Sequence, residues 1–166
     1  MSTTLFILCS GVSLVIGCAA LGIRGPRTLL DEAKTAIDQH DQKAAYLLLK
    51  QIATEFPDSS ESLEAFPMAA DCLKALYFKN RLSDPASVWV TSEPDFMFEW
   101  LARYFSDGFP EEAANTLLAG FPGSVFRRFE EFAKTRPQLS QWAIQAHDDN
   151  GIVQSVTASR SGTETS

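Results

Sequence analysis

From Leu5 to Ile23 the chain runs nineteen residues without a charged side chain, and no other stretch constrains the architecture as much. A helix of that length, rising about 1.5 Å per residue, extends roughly 28 Å, close to the ~30 Å hydrocarbon core of a bilayer. Cleaved secretory signals carry a shorter apolar region, about 7 to 15 residues, behind a positive start. Met1 to Thr4 holds neither Lys nor Arg. The stretch therefore predicts a transmembrane helix, with 1–24 as a membrane anchor, 25–151 as a helical domain and 152–166 as a disordered tail. The first basic residues, Arg24 and Arg27, follow the apolar run directly. By the positive-inside bias they place the chain as single-pass with its domain in the cytoplasm. Gly25-Pro26 ends the helix, because proline lacks a backbone donor and restricts the residue before it.

Within the run, Val15-Ile16-Gly17-Cys18 resembles the lipobox of bacterial lipoproteins, with Val where Leu is usual. The resemblance implies lipidation of Cys18 and a domain lipid-anchored in the cell envelope. Ordinary cleavage after Ala20 is a third reading, and the sequence leaves all three open. Ser13 and Gly17, and also Cys18 and Gly22, set small residues four apart, a spacing that allows weak self-association through the anchor.

All 14 basic and 21 acidic residues lie beyond Ile23, so the remaining part carries the full net charge of -7. Such a surface repels phosphates, which argues against nucleic acid as a partner. About 140 residues make one domain with a sizeable core. Cys9 and Cys18 fall in the apolar run, leaving Cys72 alone in the domain, so no disulfide framework forms there. Cys72 reads as a small buried hydrophobe.

Helical periodicity starts with Leu29, Leu30, Ala33, Ala36 and Ile37 on one face. Gln39-His40-Asp41 turns the chain into a second helix with Ala44, Ala45, Leu48, Leu49, Ile52 and Phe56, stopped by Pro57. Ala33 in the first helix, Ala45 in the second and Pro57 at the close carry a resemblance of residues 28–59 to a tetratricopeptide-type hairpin. Leu29 and Ala36 stand at that family's Trp and Tyr positions. The resemblance implies protein or peptide ligands and no chemistry. Ala44 to Leu49 and Ala113 to Leu118 share Ala-Ala-x-x-Leu-Leu, and Phe56 to Ser59 and Phe121 to Ser124 share Phe-Pro-x-Ser. The echo fits a degenerate repeat or two amphipathic helices ending at proline.

A third helix runs through Met68, Ala69, Cys72, Leu73, Leu76 and Tyr77, with Pro67 in its first turn. Asn80 to Thr91 reads as a loop in which Val88-Trp89-Val90 is either a plug for the core or a short exposed contact strip, and the normal burial of large apolar side chains favours the plug. Ser92-Glu93-Pro94-Asp95 starts a helix with Ser92 as cap. Its residues Phe96, Met97, Phe98, Trp100, Leu101, Tyr104 and Phe105 cover a wide arc, which predicts the central helix of the domain. Further helices follow Pro110, span Ser124 to Lys134, and start at Pro137 with Leu139, Trp142, Ala143 and Ile144, closing near Asn150-Gly151.

The expected fold is all-α: one transmembrane helix followed by a compact bundle or short stack of tetratricopeptide-like hairpins. His40 and His147 have no ligand-type neighbours at metal spacing, and Asp148-Asp149-Asn150-Gly151 lacks the alternating ligands of a calcium loop. No phosphate loop, nucleophile elbow or zinc-helix motif is present. No catalytic residue, metal or cofactor is expected. The aromatic stretch supplies the candidate partner-binding groove, formed by Trp89, Phe96, Trp100 and Tyr104. The functional expectation is a non-catalytic, membrane-anchored scaffold for a protein or peptide partner. The alternatives are a cell-envelope lipoprotein with an assembly role, and a small membrane-associated enzyme built from Cys72 or His147.

Overall fold

A computed structural model of the chain describes residues 24–103 and 109–161. Pro26 opens α1 (Pro26–Asp38), where its fixed φ and missing N–H suit the first helical position. Leu29, Leu30, Ala33 and Ala36 are buried along it. His40, at φ 61, reverses the chain, and the Asp41 carboxylate accepts the Ala44 N–H at 2.9 Å to cap α2 (Gln42–Glu55). Ser59 caps α3 (Ser60–Arg81) in the same way, its hydroxyl accepting the Ser62 N–H at 3.2 Å. α2 packs against both α1 and α3.

The expected central helix gives way to α3. This helix has 22 residues and touches α1, α2 and each of the helices that follow up to α6, namely α4 (Val88–Thr91), α5 (Glu93–Arg103) and α6 (Glu111–Leu118). Pro67 lies two turns inside α3 rather than in its first turn, because the Ser59 cap starts the helix earlier. Residues 88–91 are helical where a loop was expected, and α4 runs almost directly into α5. Ser92 therefore faces a preceding helix, and its hydroxyl donates back to the Val88 carbonyl at 3.5 Å instead of capping α5.

α7 (Gly123–Lys134) buries Val125, Phe126, Phe129 and Ala133, the stripe its periodicity predicts. The expected last helix is corrected. Only α8 (Pro137–Ser140) is helical, and Trp142 onward forms an antiparallel hairpin of β1 (Trp142–Asp149) and β2 (Ile152–Arg160). Asn150 and Gly151 have φ of 53 and 78, the two left-handed residues of a tight hairpin turn, so Asn150-Gly151 turns strands rather than ending a helix. Residues 152–160, expected to be a disordered tail, are the second strand. Its Val153 and Val156 are buried in the common core. A bulge between His147 and Asp148 lets Gln154 stand opposite no partner, which brings both valines to the inner face.

The all-α, single-pass expectation is thus corrected on two points. The hairpin adds a two-stranded sheet, and among the described residues no helix is long and apolar enough to cross a membrane. α3 has the length, but Glu61, Glu64, Asp71, Lys74, Lys79 and Arg81 interrupt it. The segment Leu5 to Ile23, with the expected anchor and Cys18, lies outside the described residues.

The echo between Ala44–Ser59 and Ala113–Ser124 marks two different junctions. α2 turns back along α3, whereas α6 packs on β2 and α3. Gly120, at φ 89, bends the linker after α6 so that its N–H donates to the Val153 carbonyl at 2.8 Å. The Phe121 carbonyl accepts the Val153 N–H at 2.9 Å.

Candidate functional site

Three of the four expected groove aromatics are described, and they are used mainly for packing. Trp89 sits edge-on to Tyr46 at 5.4 Å between ring centroids and is almost fully buried. Trp100 is 2% exposed and meets Phe66 edge-on at 5.4 Å. Phe96 lies half-buried between Trp100 and the Lys50 ammonium, which is 4.4 Å from its ring centroid. Such edge-on and cation contacts add roughly 0.5 to 1.5 kcal/mol each beyond the burial itself. Tyr104 lies outside the described residues.

Beneath these rings is a polar cluster that no local motif announces. Glu93, in the first turn of α5, is buried, and the Tyr46 hydroxyl donates to its Oε2 at 2.8 Å. Lys50 Nζ donates to both carboxylate oxygens, at 2.9 and 2.8 Å. Burial, and then the adjacent Glu93 charge, push the Tyr46 hydroxyl pKa far up, so that it stays a donor. Tyr46 and Lys50 are one turn apart on α2, so a single helical face grips the start of α5. Arg128 holds the other side. It donates to the carbonyls of Val90 at 3.0 Å and of Thr91, and pairs with Asp95 at 2.8 Å, satisfying the open carbonyl end of α4. Arg136 pairs with Glu99 and lies over the Phe132 ring.

Open space appears one turn further along, at the margin of Trp100. A groove of about 780 Å³ is bounded by Ala53, Pro57 to Ser60, Leu63, Trp100 and Arg103. A second, of about 600 Å³, is bounded by Leu63, Phe66, Pro67, Phe109, Glu111 and Ala113. Leu63 stands on the ridge between them, 59% exposed. Pro67 follows it by four residues and has no N–H, so the Leu63 carbonyl lacks its helical donor. The ridge thus presents an apolar side chain beside a carbonyl freed from the helix ladder. Arg103 and Asp58 border the first groove, and Glu111 and Glu112 the second.

Other sequence candidates stay apart. Cys72 is 1% exposed, and burial, with the Asp71 charge second, pushes its thiol up to about 11. His40 is in the α1–α2 turn and His147 at the bulge of β1. Asp148 and Asp149 end β1 beside the tight turn. Among the described residues no group of three or more metal-ligating side chains comes together. Leu63, Glu93 and Asn115 are the consequential residues that periodicity passes over. The only local signal for Leu63 is the proline one turn later.

Comparison with protein-family models, with curated proteins and with solved structures finds no match for the chain.

Proposed function

We propose that the domain is a non-catalytic interaction module that binds an apolar, basic-flanked segment of a partner protein across the Leu63 ridge. The observation that carries this reading is the exposed Leu63 between two grooves of about 780 and 600 Å³. Exposed apolar ridges flanked by concave surface suit side-chain anchors from a partner. Charge supports a basic partner: the chain's net charge is -7, and Glu111 and Glu112 border the second groove. A thiol held near 11 and buried is a poor nucleophile at neutral pH, which favours binding over covalent chemistry at Cys72.

The test is selection of random linear peptides displayed on phage against the full-length protein. The reading expects enriched peptides with two apolar anchors and at least one flanking Lys or Arg, whose binding fails on Leu63→Asp. Enrichment of acidic or anchorless peptides, or of none, contradicts it.

A further inference from the structure

The two edges of the hairpin are treated differently. On the outer edge of β2, Val153 pairs with Gly120 and Phe121, and the Asn115 side-chain amide takes both backbone groups of Val156. Because the Val156 N–H and C=O face Asn115, away from β1, its opposite residue Ala146 turns its own N–H and C=O away from β2. The alternation repeats at Ile144 opposite Ala158 and at Trp142 opposite Arg160. The hydrogen bond from Ser161 N–H to the Gln141 carbonyl, one residue further, fits the same phase. Among the described residues, none supplies a hydrogen bond to the outward backbone groups of Ile144 or Ala146. A free strand edge of this kind is a template for another strand.

α7 packs against β1, and where its end meets the start of the strand a cleft of about 210 Å³ is bounded by Glu130, Ala133, Leu139, Trp142 and Ile144. Lys134 at its rim is paired with Glu131 at 2.6 Å. Glu130 has no ion-pair partner among the described residues, and Asp148 and Asp149 are exposed at the far end of the strand. Backbone donors and acceptors, a small cleft and the carboxylates of Glu130, Asp148 and Asp149 therefore share one edge.

We propose that the free edge of β1 receives an extended, basic segment of a partner protein as a third strand, which extends the sheet beside the end of α7. The backbone of the segment pairs with Ile144 and Ala146, one of its apolar side chains enters the cleft against Ala133 and Leu139, and a Lys or Arg faces Glu130 or the Asp148-Asp149 end. Strand addition of this type draws affinity from the main chain and specificity from alternate side chains. It rests on a different surface from the Leu63 ridge and stands or falls separately.

Linear peptides selected on the full-length protein, and still bound after Leu63→Asp, are the probes. Each is resynthesised with backbone N-methyl groups on one set of alternate residues or on the other. Strand pairing predicts that one set weakens binding by about tenfold or more and the other leaves it unchanged. Ala146→Pro removes an outward N–H without removing a hairpin hydrogen bond, so binding is lost while the melting midpoint is kept. Glu130→Lys weakens basic peptides whether or not the proline variant folds. Equal loss from both methylation sets, binding indifferent to Glu130→Lys, or a chain that dimerises through β1 and excludes the peptide overturns the proposal.

Discussion

Asn115 on α6 acts as a piece of β-strand for Val156 on β2. Its Nδ2 donates to the Val156 carbonyl at 3.1 Å, and its Oδ1 accepts the Val156 N–H at 2.5 Å. One side-chain amide thereby closes a sheet edge and fastens the hairpin to the helices. Asn115→Leu leaves two backbone groups without partners on a half-buried edge, and a loss of about 2 kcal/mol is expected from urea unfolding. An unchanged midpoint would show that water replaces the amide there.

The Tyr46–Glu93–Lys50 cluster gives a larger effect. Glu93→Ala strands a partly buried ammonium and a buried hydroxyl, so the expected cost is about 3 to 5 kcal/mol. Glu93→Gln keeps an acceptor for Tyr46 but loses the charge facing Lys50, and falls between the two. Equal stability of the alanine variant and the wild type would refute the role given to the cluster.

Trp100→Ala is expected to cost roughly 3 to 5 kcal/mol by opening a cavity against Phe66. Gly151→Ala forces a side chain into a left-handed turn position and should cost about 1 to 2 kcal/mol, although nothing lies within 4 Å of the added carbon. Both are read from thermal melts, and a Gly151→Ala protein as stable as wild type would speak against the tight turn.

Alkaline pH should weaken the fold. Cys72 ionises near 9.0 when unfolded and only near 11 in the native core, so the native state retains a proton that the unfolded chain loses. Its contribution, up to about 3 kcal/mol, is complete below the unfolded value and lost as pH rises between the two. Tyr46, raised in the same direction, extends the loss to higher pH. Urea midpoints taken across this range should fall less steeply for Cys72→Ala than for wild type, and parallel curves would contradict the assignment.

Much of the helical part is legible from spacing alone. Leu29 to Ala36, the Asp41 turn and Val125 to Ala133 fall where an amphipathic stripe puts them, because each helix carries its own period. The hairpin was obscured because Asn-Gly serves equally as a helix stop and as a strand turn. Leu139, Trp142, Ala143 and Ile144 also suit a helical face, yet the half-buried alternation of Trp142, Ile144 and Ala146 carries the strand period. The site was less legible still. Glu93 meets Tyr46 and Lys50 across more than 40 residues, and the grooves beside Leu63 exist only where α2, α3, α5 and α6 converge. Of the aromatic stretch, Trp100 borders one groove, whereas Trp89 is taken up by the core.

The most direct measurement is the dissociation constant of a ridge-selected peptide for wild type, Leu63→Asp and Leu82→Asp. Leu82 is 92% exposed and borders neither groove, so it controls for nonspecific apolar attraction. The interaction-module account predicts a loss of about 100-fold for Leu63→Asp, the scale of a truncated binding anchor, with Leu82→Asp unchanged. Equal affinity for all three proteins would contradict it.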